Sequence, residues 1–192
     1  MADAVRAHEI EADSDDSLMR QVCARDAASF ALVIERHLGQ LHRIAYRMIG
    51  DASEAEDFAQ EALLRLWRDA DRWQLGMSGI GPWLHRVVVN LCLDRLRKRR
   101  FSSDAAVPER ADETSLAPEL LDAERQRASV VAAIAALPDR QRAAIVLTYY
   151  EDLPNQKAAE TMDMNLKAFE SLHLRGRAAL RAALAGAPET PS

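Results

Sequence analysis

Apolar residues recur along this chain at a spacing near 3.6, interrupted by short polar breaks, so the pattern predicts helices throughout. A short helix is expected from Asp16 to Ala24, with Leu18, Met19, Val22 and Cys23 inward. Asp26 is placed to cap a long helix from Ala27 to Ile49, carrying Phe30, Val33, Ile34, Leu38, Leu41, Ile44, Ala45 and Met48 on one face. Gly50 is suited to end it in the left-handed conformation. Ser53 and Glu56 have the spacing of a capping box and open a helix to about Ala70, with Phe58, Ala59, Ala62, Leu63, Leu66 and Trp67 inward. Residues 72–81 form a loop made pliable by Gly76, Gly79 and Gly81, yet unusually apolar through Trp73, Leu75, Met77 and Ile80.

The next helix, Pro82 to Arg100, has two unlike faces. Trp83, Leu84, Val87, Val88, Leu91, Cys92 and Leu96 form an apolar stripe, while Arg86, Asn90 and Arg97 line the other side. The run Arg97-Lys98-Arg99-Arg100 then places positive charge at the helix C-terminus, where the backbone dipole favours it. Such a face suits a polyanion or is simply solvated, with Asp94 pairing to Lys98 at i+4. Periodicity fails over residues 101–118, which hold Pro108 and Pro118. A linker of 18 residues is too long for a loop within one compact domain, so two domains are expected.

Beyond the linker the helical period returns, from Glu119 to Ala136, from Arg140 to Tyr150 behind an Asp139 cap, and from Gln156 to Met162 behind an Asn155 cap. A three-residue turn, Asp163-Met164-Asn165, leads into a last helix from Leu166 to Leu184. A short helix, a tight turn and a basic second helix have the helix-turn-helix arrangement, and a plain helical hairpin is the alternative. The small pair Ala158-Ala159 favours close helix crossing.

Composition agrees with an all-α fold. Hydrophobic residues make up 48% and charged residues 29% of 192, with only seven glycines. No apolar run reaches membrane-spanning length, and the acidic N-terminus lacks the apolar stretch of a secretory signal. Cys23 and Cys92 sit on apolar helical positions and are expected as buried thiols in a reducing, cytoplasmic setting. The net charge of −5 argues against a nucleic-acid binder until its distribution is seen. Residues 1–16 carry −5 and residues 101–124 carry −6, which leaves +6 on the rest of the chain.

Enzymatic chemistry finds no support. His37 and His42 are five apart rather than three or four, Asp57 and Glu61 lack a neighbouring histidine, and no glycine-rich phosphate loop or nucleophile motif is present. No metal or cofactor is expected. On the helix opening at Ser53, Leu64 lies among Asp57, Gln60, Glu61 and Arg68, a surface equally suited to water or to docking a basic partner.

Four stretches together resemble the bacterial RNA polymerase sigma factors of the extracytoplasmic-function (group IV, sigma-70) type. They are Asp57-Phe58-Ala59-Gln60-Glu61 leading to Leu66-Trp67; Pro82-Trp83-Leu84-His85-Arg86 with Asn90, Asp94 and Arg95 to Arg100; Leu137-Pro138-Asp139-Arg140-Gln141-Arg142; and the helix-turn-helix ending Arg175-Gly176-Arg177. The resemblance spans residues 15–184. It implies a disordered acidic tail over 1–14, region 2 over 15–100, a flexible acidic linker over 101–118, region 4 over 119–185 and a disordered tail over 186–192. It also implies a subunit that binds core RNA polymerase, directs it to −10 and −35 promoter elements and helps open the DNA, in a stress or environmental response.

The same resemblance assigns Asp57, Gln60, Glu61 and Leu64 to the polymerase β′ clamp helices, and the apolar helices of region 4 to the β flap. It assigns Trp73, Arg86, Asn90, Arg97, Lys98, Arg99 and Arg100 to the −10 element, where an unpaired base needs an apolar pocket with cations for its phosphates. Lys167, Ser171, His173, Arg175 and Arg177 fall to the −35 element. An anti-sigma factor is the implied regulator. Two departures stand out. Asp163 replaces the usual turn glycine, and Phe169-Glu170-Ser171-Leu172 replaces a Val-Lys-Ser-Arg pattern, which removes two cations and adds a carboxylate that can accept from cytosine N4. The competing class is a stand-alone helix-turn-helix regulator with an N-terminal sensing or dimerisation domain, which accounts for neither the basic helix nor the glycine loop before it.

Overall fold

The computed structural model describes residues 14–73, 79–101 and 118–185, with side chains left out over 118–126. Both tails, most of the glycine loop and the linker lie outside the described residues. Regular structure among the described residues is helical: α1 (Asp15–Cys23), α2 (Ala27–Ile49), α3 (Ala52–Asp69) with a 3-10 turn (Ala70–Arg72), α4 (Ile80–Phe101), α5 (Pro118–Ala135), α6 (Asp139–Tyr149), α7 (Asn155–Thr161) and α8 (Leu166–Ala185). The first four form an N-terminal bundle and the last four a C-terminal one.

Side-chain caps set the entry to α1, α2 and α3. Ser14 Oγ accepts from the Ser17 amide at 3.2 Å, and Asp26 Oδ2 from the Ser29 amide at 2.7 Å, satisfying donors the helices leave open. The α2 helix ends where expected, at Gly50 with φ 75°, a conformation that costs glycine little. The next cap differs from the expected one. Asp51, not Ser53, accepts from the Glu54 amide at 2.9 Å. The α3 helix thus begins two residues early, and the Glu54 side chain turns to Arg95 and Arg99 rather than back to the cap. Ala55, Ala59 and Ala62 then present a small-residue stripe that lets α3 lie close along α2. The far end of this hairpin is closed by Phe30 against Trp67, ring centroids 4.7 Å apart.

The α4 helix also starts early, at Ile80, with Gly79 at φ 76° and Pro82 still in the first turn, where it loses no hydrogen bond. Its buried face is Ile80, Leu84, His85, Val88, Val89, Cys92 and Leu96. That face is turned relative to the expected stripe, so Trp83, Val87 and Leu91 are only half-buried while a histidine is inside.

In the C-terminal bundle, α6 is buried over six consecutive residues, Arg142 to Leu147, because other helices cover it on every side. Asp139 and Asn155 are the first residues of their helices rather than caps, since Pro138 and Pro154 hold the preceding extended conformation. The turn before α8 follows the sequence reading. Asp163 takes φ 51°, and Asn165 Oδ1 caps α8 through the Ala168 amide at 2.8 Å. Phe169 is fully buried, and Ala158 and Ala159 permit the close α7–α8 crossing. At Gly176 a Cβ would stand 3.3 Å from Ile145 Cγ1, so α6 and α8 meet there with no room for a side chain.

The two bundles are packed on each other. Arg142 at their joint is buried, and its guanidinium donates to the Met48 carbonyl at the end of α2 and to the Ala135 and Leu137 carbonyls at the end of α5. Two helix C-termini thus share one cation, which their dipoles favour. Around it, Gln40 donates to Glu151 at 2.9 Å, Arg47 lies 4.2 Å over the Tyr150 ring, and Arg100 pairs with Asp139.

Candidate nucleic-acid interface

The exposed face of α3 brings Asp57, Gln60 and Leu64 to solvent, with Leu64 51% exposed. Its carboxylates differ in state. Glu61 Oε1 accepts from Arg65 Nε at 2.7 Å and Arg68 Nη2 at 3.0 Å, and the Arg65 bond holds its pKa below the ordinary glutamate value. Gln60 donates to Glu56 at 3.0 Å. Among the described residues Asp57 forms no ion pair, so α3 presents one unpaired carboxylate, one arginine-paired carboxylate and, one turn further along, an exposed leucine.

On α4 the candidate residues divide. Trp73 meets Trp83 edge-on, centroids 6.0 Å apart, which forms an aromatic wall beside the start of the helix. Asn90 and Lys98 are exposed. Arg86 donates to the Glu160 carbonyl of α7 at 2.7 Å, so in this arrangement it bridges to the C-terminal bundle. Arg97 pairs with Asp94 at 2.9 Å, at i+3; the expected Asp94–Lys98 pair is replaced by this one. Arg99 turns inward to Glu54 at 3.0 Å and to the Ile49 carbonyl at 3.4 Å. Glu54 also takes three bonds from Arg95, and these are the main cause of its lowered pKa. The four-residue basic run is therefore no uniform patch, because successive residues are about 100° apart and two of them meet acids from elsewhere in the fold.

Behind the first turn of α4 lies a feature the sequence reading passed over. His85 is 5% exposed, and neither ring nitrogen has a hydrogen-bond partner among the described residues. Burial, with a smaller contribution from His37, pushes its pKa down to about 4. His37 Nε2 is 3.6 Å from Asp15 Oδ2, and its pKa is also lowered by burial. The signal was the spacing: His85 lies between Leu84 and Val88, four residues before Val89, and so on the buried arc.

On α8, Lys167, Ser171, Arg175 and Arg177 are exposed. His173 is not with them. It turns inward, Nε2 3.1 Å from Thr148 Oγ1, with its ring near Phe169 and Tyr149. Burial lowers its pKa, and Arg177 adds to the effect. A groove of about 770 Å³ runs between α5, α6 and α8, lined by Val130, Ile134, Tyr149, Leu180 and Leu184 with Arg177 and Arg181 at its rim. No described helix is long and apolar enough to cross a membrane, and no cluster of three or more metal-ligating side chains occurs among the described residues.

Two family matches divide the chain as the bundles do. Sigma-70 region 2 matches residues 33–102, and Sigma-70 region 4 matches residues 127–180. The chain belongs to the extracytoplasmic-function sigma factors of RNA polymerase. It is 30% identical to the ECF RNA polymerase sigma factor SigW of Bacillus subtilis, over 85% of this chain and 92% of that protein. It is 34% identical to the ECF RNA polymerase sigma factor SigE of Mycolicibacterium smegmatis, over 80% of this chain and 60% of that one. The fold matches CnrH, solved in complex with the cytosolic domain of CnrY, with a TM-score of 0.70 at 23% identity, covering 92% of this chain and all of that one. It also matches the sigma factor RpoE of Bartonella quintana, solved in complex with the anti-sigma factor NepR, with a TM-score of 0.63 at 22% identity, covering 83% of this chain and 98% of that one. The region 2 match thus falls on α2–α4 and the region 4 match on α5–α8, and the α7–α8 pair belongs to a sigma factor rather than to a separate regulator.

Proposed function

We propose that this sigma factor docks on the β′ clamp helices of core polymerase through the α3 face of Asp57, Gln60, Glu61 and Leu64. The supporting observation is the exposed leucine on the same helix face as two acids, a pattern that fits a basic, partly apolar helical partner. Trp73 and Trp83, with Asn90 and the cations of α4, form the −10 side, where an opened strand offers bases for stacking and phosphates for charge. Arg86 joins that surface once it leaves the Glu160 carbonyl. Region 4 places α8 in the major groove of the −35 element through Lys167, Ser171, Arg175 and Arg177. His173 supports the helix from behind. The groove between α5, α6 and α8 receives the β flap.

An anti-sigma factor restrains the protein in the cytoplasm until a stress or environmental signal releases it. Support comes from the two solved relatives, one complexed with an anti-sigma factor and the other with a cytosolic domain. The decisive experiment is run-off transcription from a promoter library by purified core polymerase, with and without the protein. A double charge reversal, Asp57→Arg with Glu61→Arg, is expected to weaken core binding more than about 100-fold, since like charges set opposite one another cost several kcal/mol. The circular dichroism spectrum is expected to stay unchanged. Unaltered affinity for core would refute the docking surface.

A further inference from the structure

We propose that Leu174 reads the methyl group of a thymine in the upstream promoter element and thereby sets the base preference at that position. The inference rests on the docking of α8 in the major groove.

The geometry of α8 carries it. At about 100° per residue, Lys167, Ser171, Leu174 and Ala178 fall within about 60° of one another on one face. The opposite face is the packed one, with Phe169, Leu172 and Gly176 buried. Arg175 and Arg177 lie about 80° to either side of the Lys167 direction. The exposed face therefore has a central column of Lys167, Ser171, Leu174 and Ala178, with Glu170 and Arg181 toward the Arg177 side, between two guanidinium-bearing edges. In a major groove the edges meet the phosphate walls and the column meets the floor, where base edges are read.

Leu174 is the large apolar side chain of that column, and it is 66% exposed. Neither the core nor the apolar groove accounts for it. The apolar lining the groove draws from α8 is Leu180 and Leu184, about 80–120° around the helix from Leu174. Leucine can neither donate nor accept a hydrogen bond. Set against a guanine edge or the amino groups of adenine or cytosine, it would strip water from polar groups and return nothing. The thymine C5 methyl is the apolar feature the major groove offers, so the pairing follows from chemistry.

The test uses holoenzyme reconstituted from core polymerase and the full chain, and promoters selected from a library randomised over the upstream element. Wild type is expected to retain thymine at one upstream position, and Leu174→Ala to lose that preference while keeping the others. The variant removes an exposed side chain and keeps a strong helix former. On the selected promoter, deoxyuridine at that position is expected to lower wild-type initiation about fourfold, the worth of roughly one buried methyl group, and to leave Leu174→Ala unaffected. Identical base preferences in both proteins, or a wild type indifferent to deoxyuridine at every selected thymine, would overturn the inference. If neither Arg175→Gln nor Arg177→Gln weakens upstream recognition, the docking of α8 on duplex fails, and the inference fails with it.

Discussion

Region 2 and region 4 each bury a nitrogen-rich side chain, and they pay for it differently. Region 2 encloses His85, which burial keeps neutral at ordinary pH and whose two ring nitrogens lack hydrogen-bond partners among the described residues; the half-buried His37 nearby has its pKa lowered by burial as well. Region 4 encloses Arg142, which cannot shed its charge at ordinary pH; burial lowers its pKa, and three backbone carbonyls accept from it instead. A titratable group can be buried by neutralising it. A permanent cation has to be given acceptors, and helix C-termini supply them with the dipole in the right sense. Stability should therefore respond to acidity mainly through His85, whose shift is the large one, and to side-chain removal through the joint at Arg142.

The largest expected effect is at that joint. Arg142→Met keeps much of the volume but leaves the carbonyls of Met48, Ala135 and Leu137 without their donor. A loss of about 3 kcal/mol is expected, the scale of charged hydrogen bonds removed from a buried site. It should appear in urea titrations as a lower midpoint at every pH from 5 to 8. A loss below about 1 kcal/mol would mean that water or a shifted backbone replaces the guanidinium, and the contrast between the regions would weaken.

Acidity gives the next effect. His85 has a folded pKa of about 4 against an ordinary value of 6.5, so the unfolded chain binds its proton first as pH falls. The stability it preserves is complete above pH 6.5 and declines as pH drops toward 4. At pH 5 the cost is about 2 kcal/mol, from a difference of 1.36 kcal/mol per pH unit. Glu54 is not responsible in this window. Its pKa is depressed, so its pairing with Arg95 and Arg99 is lost only below the ordinary carboxylate value of 4.5. Urea midpoints of wild type and His85→Leu at pH 7 and pH 5 check this. The variant is expected to lose most of the difference between the two pH values, and an undiminished difference would place the acid sensitivity elsewhere.

Legibility from sequence divides along a similar line. Local chemistry was readable. The α2 boundaries, the glycine stop at Gly50, the strained Asp163 and the Asn165 cap depend on a few adjacent residues. Competing local signals were less so. Asp51-Ala-Ser-Glu54 and Ser53-Glu-Ala-Glu56 are both capping patterns, and the fold uses the Asp51 cap. Long-range events were not legible. The family resemblance marked Arg142 as part of a motif, but the pattern does not say that it spans two helix ends, one of them 94 residues away. Nor does a run of four basic residues say that Arg99 and Arg100 find acids on α3 and α6. Nor does the sequence say that His173 turns toward Thr148, which lies on another helix.

The two regions also differ in how their surface cations are held, which bears on the smallest predicted effect. On α4, Arg97, Arg99 and Arg100 are each paired with a carboxylate. On α8, Lys167, Arg175 and Arg177 form no salt bridge among the described residues, and Arg175 is tied only to the Ser171 carbonyl at 3.3 Å. A cation already paired must break its pair before it meets phosphate, so part of its gain is cancelled. An unpaired one releases counterions from DNA at full value, about 0.9 in the slope of log affinity against log salt per phosphate neutralised. Holoenzyme carrying Arg175→Gln or Arg177→Gln should therefore lose about one unit of salt slope per substitution on a promoter with an intact upstream element. Arg97→Gln and Arg100→Gln should lose less than half of that, because each also frees an acid that repels the DNA in wild type and variant alike. The measurement is promoter occupancy across a series of salt concentrations. Equal slope losses for all four variants would show that the pairings on α4 dissolve at no cost when DNA arrives, and the electrostatic distinction between the two regions would vanish with them.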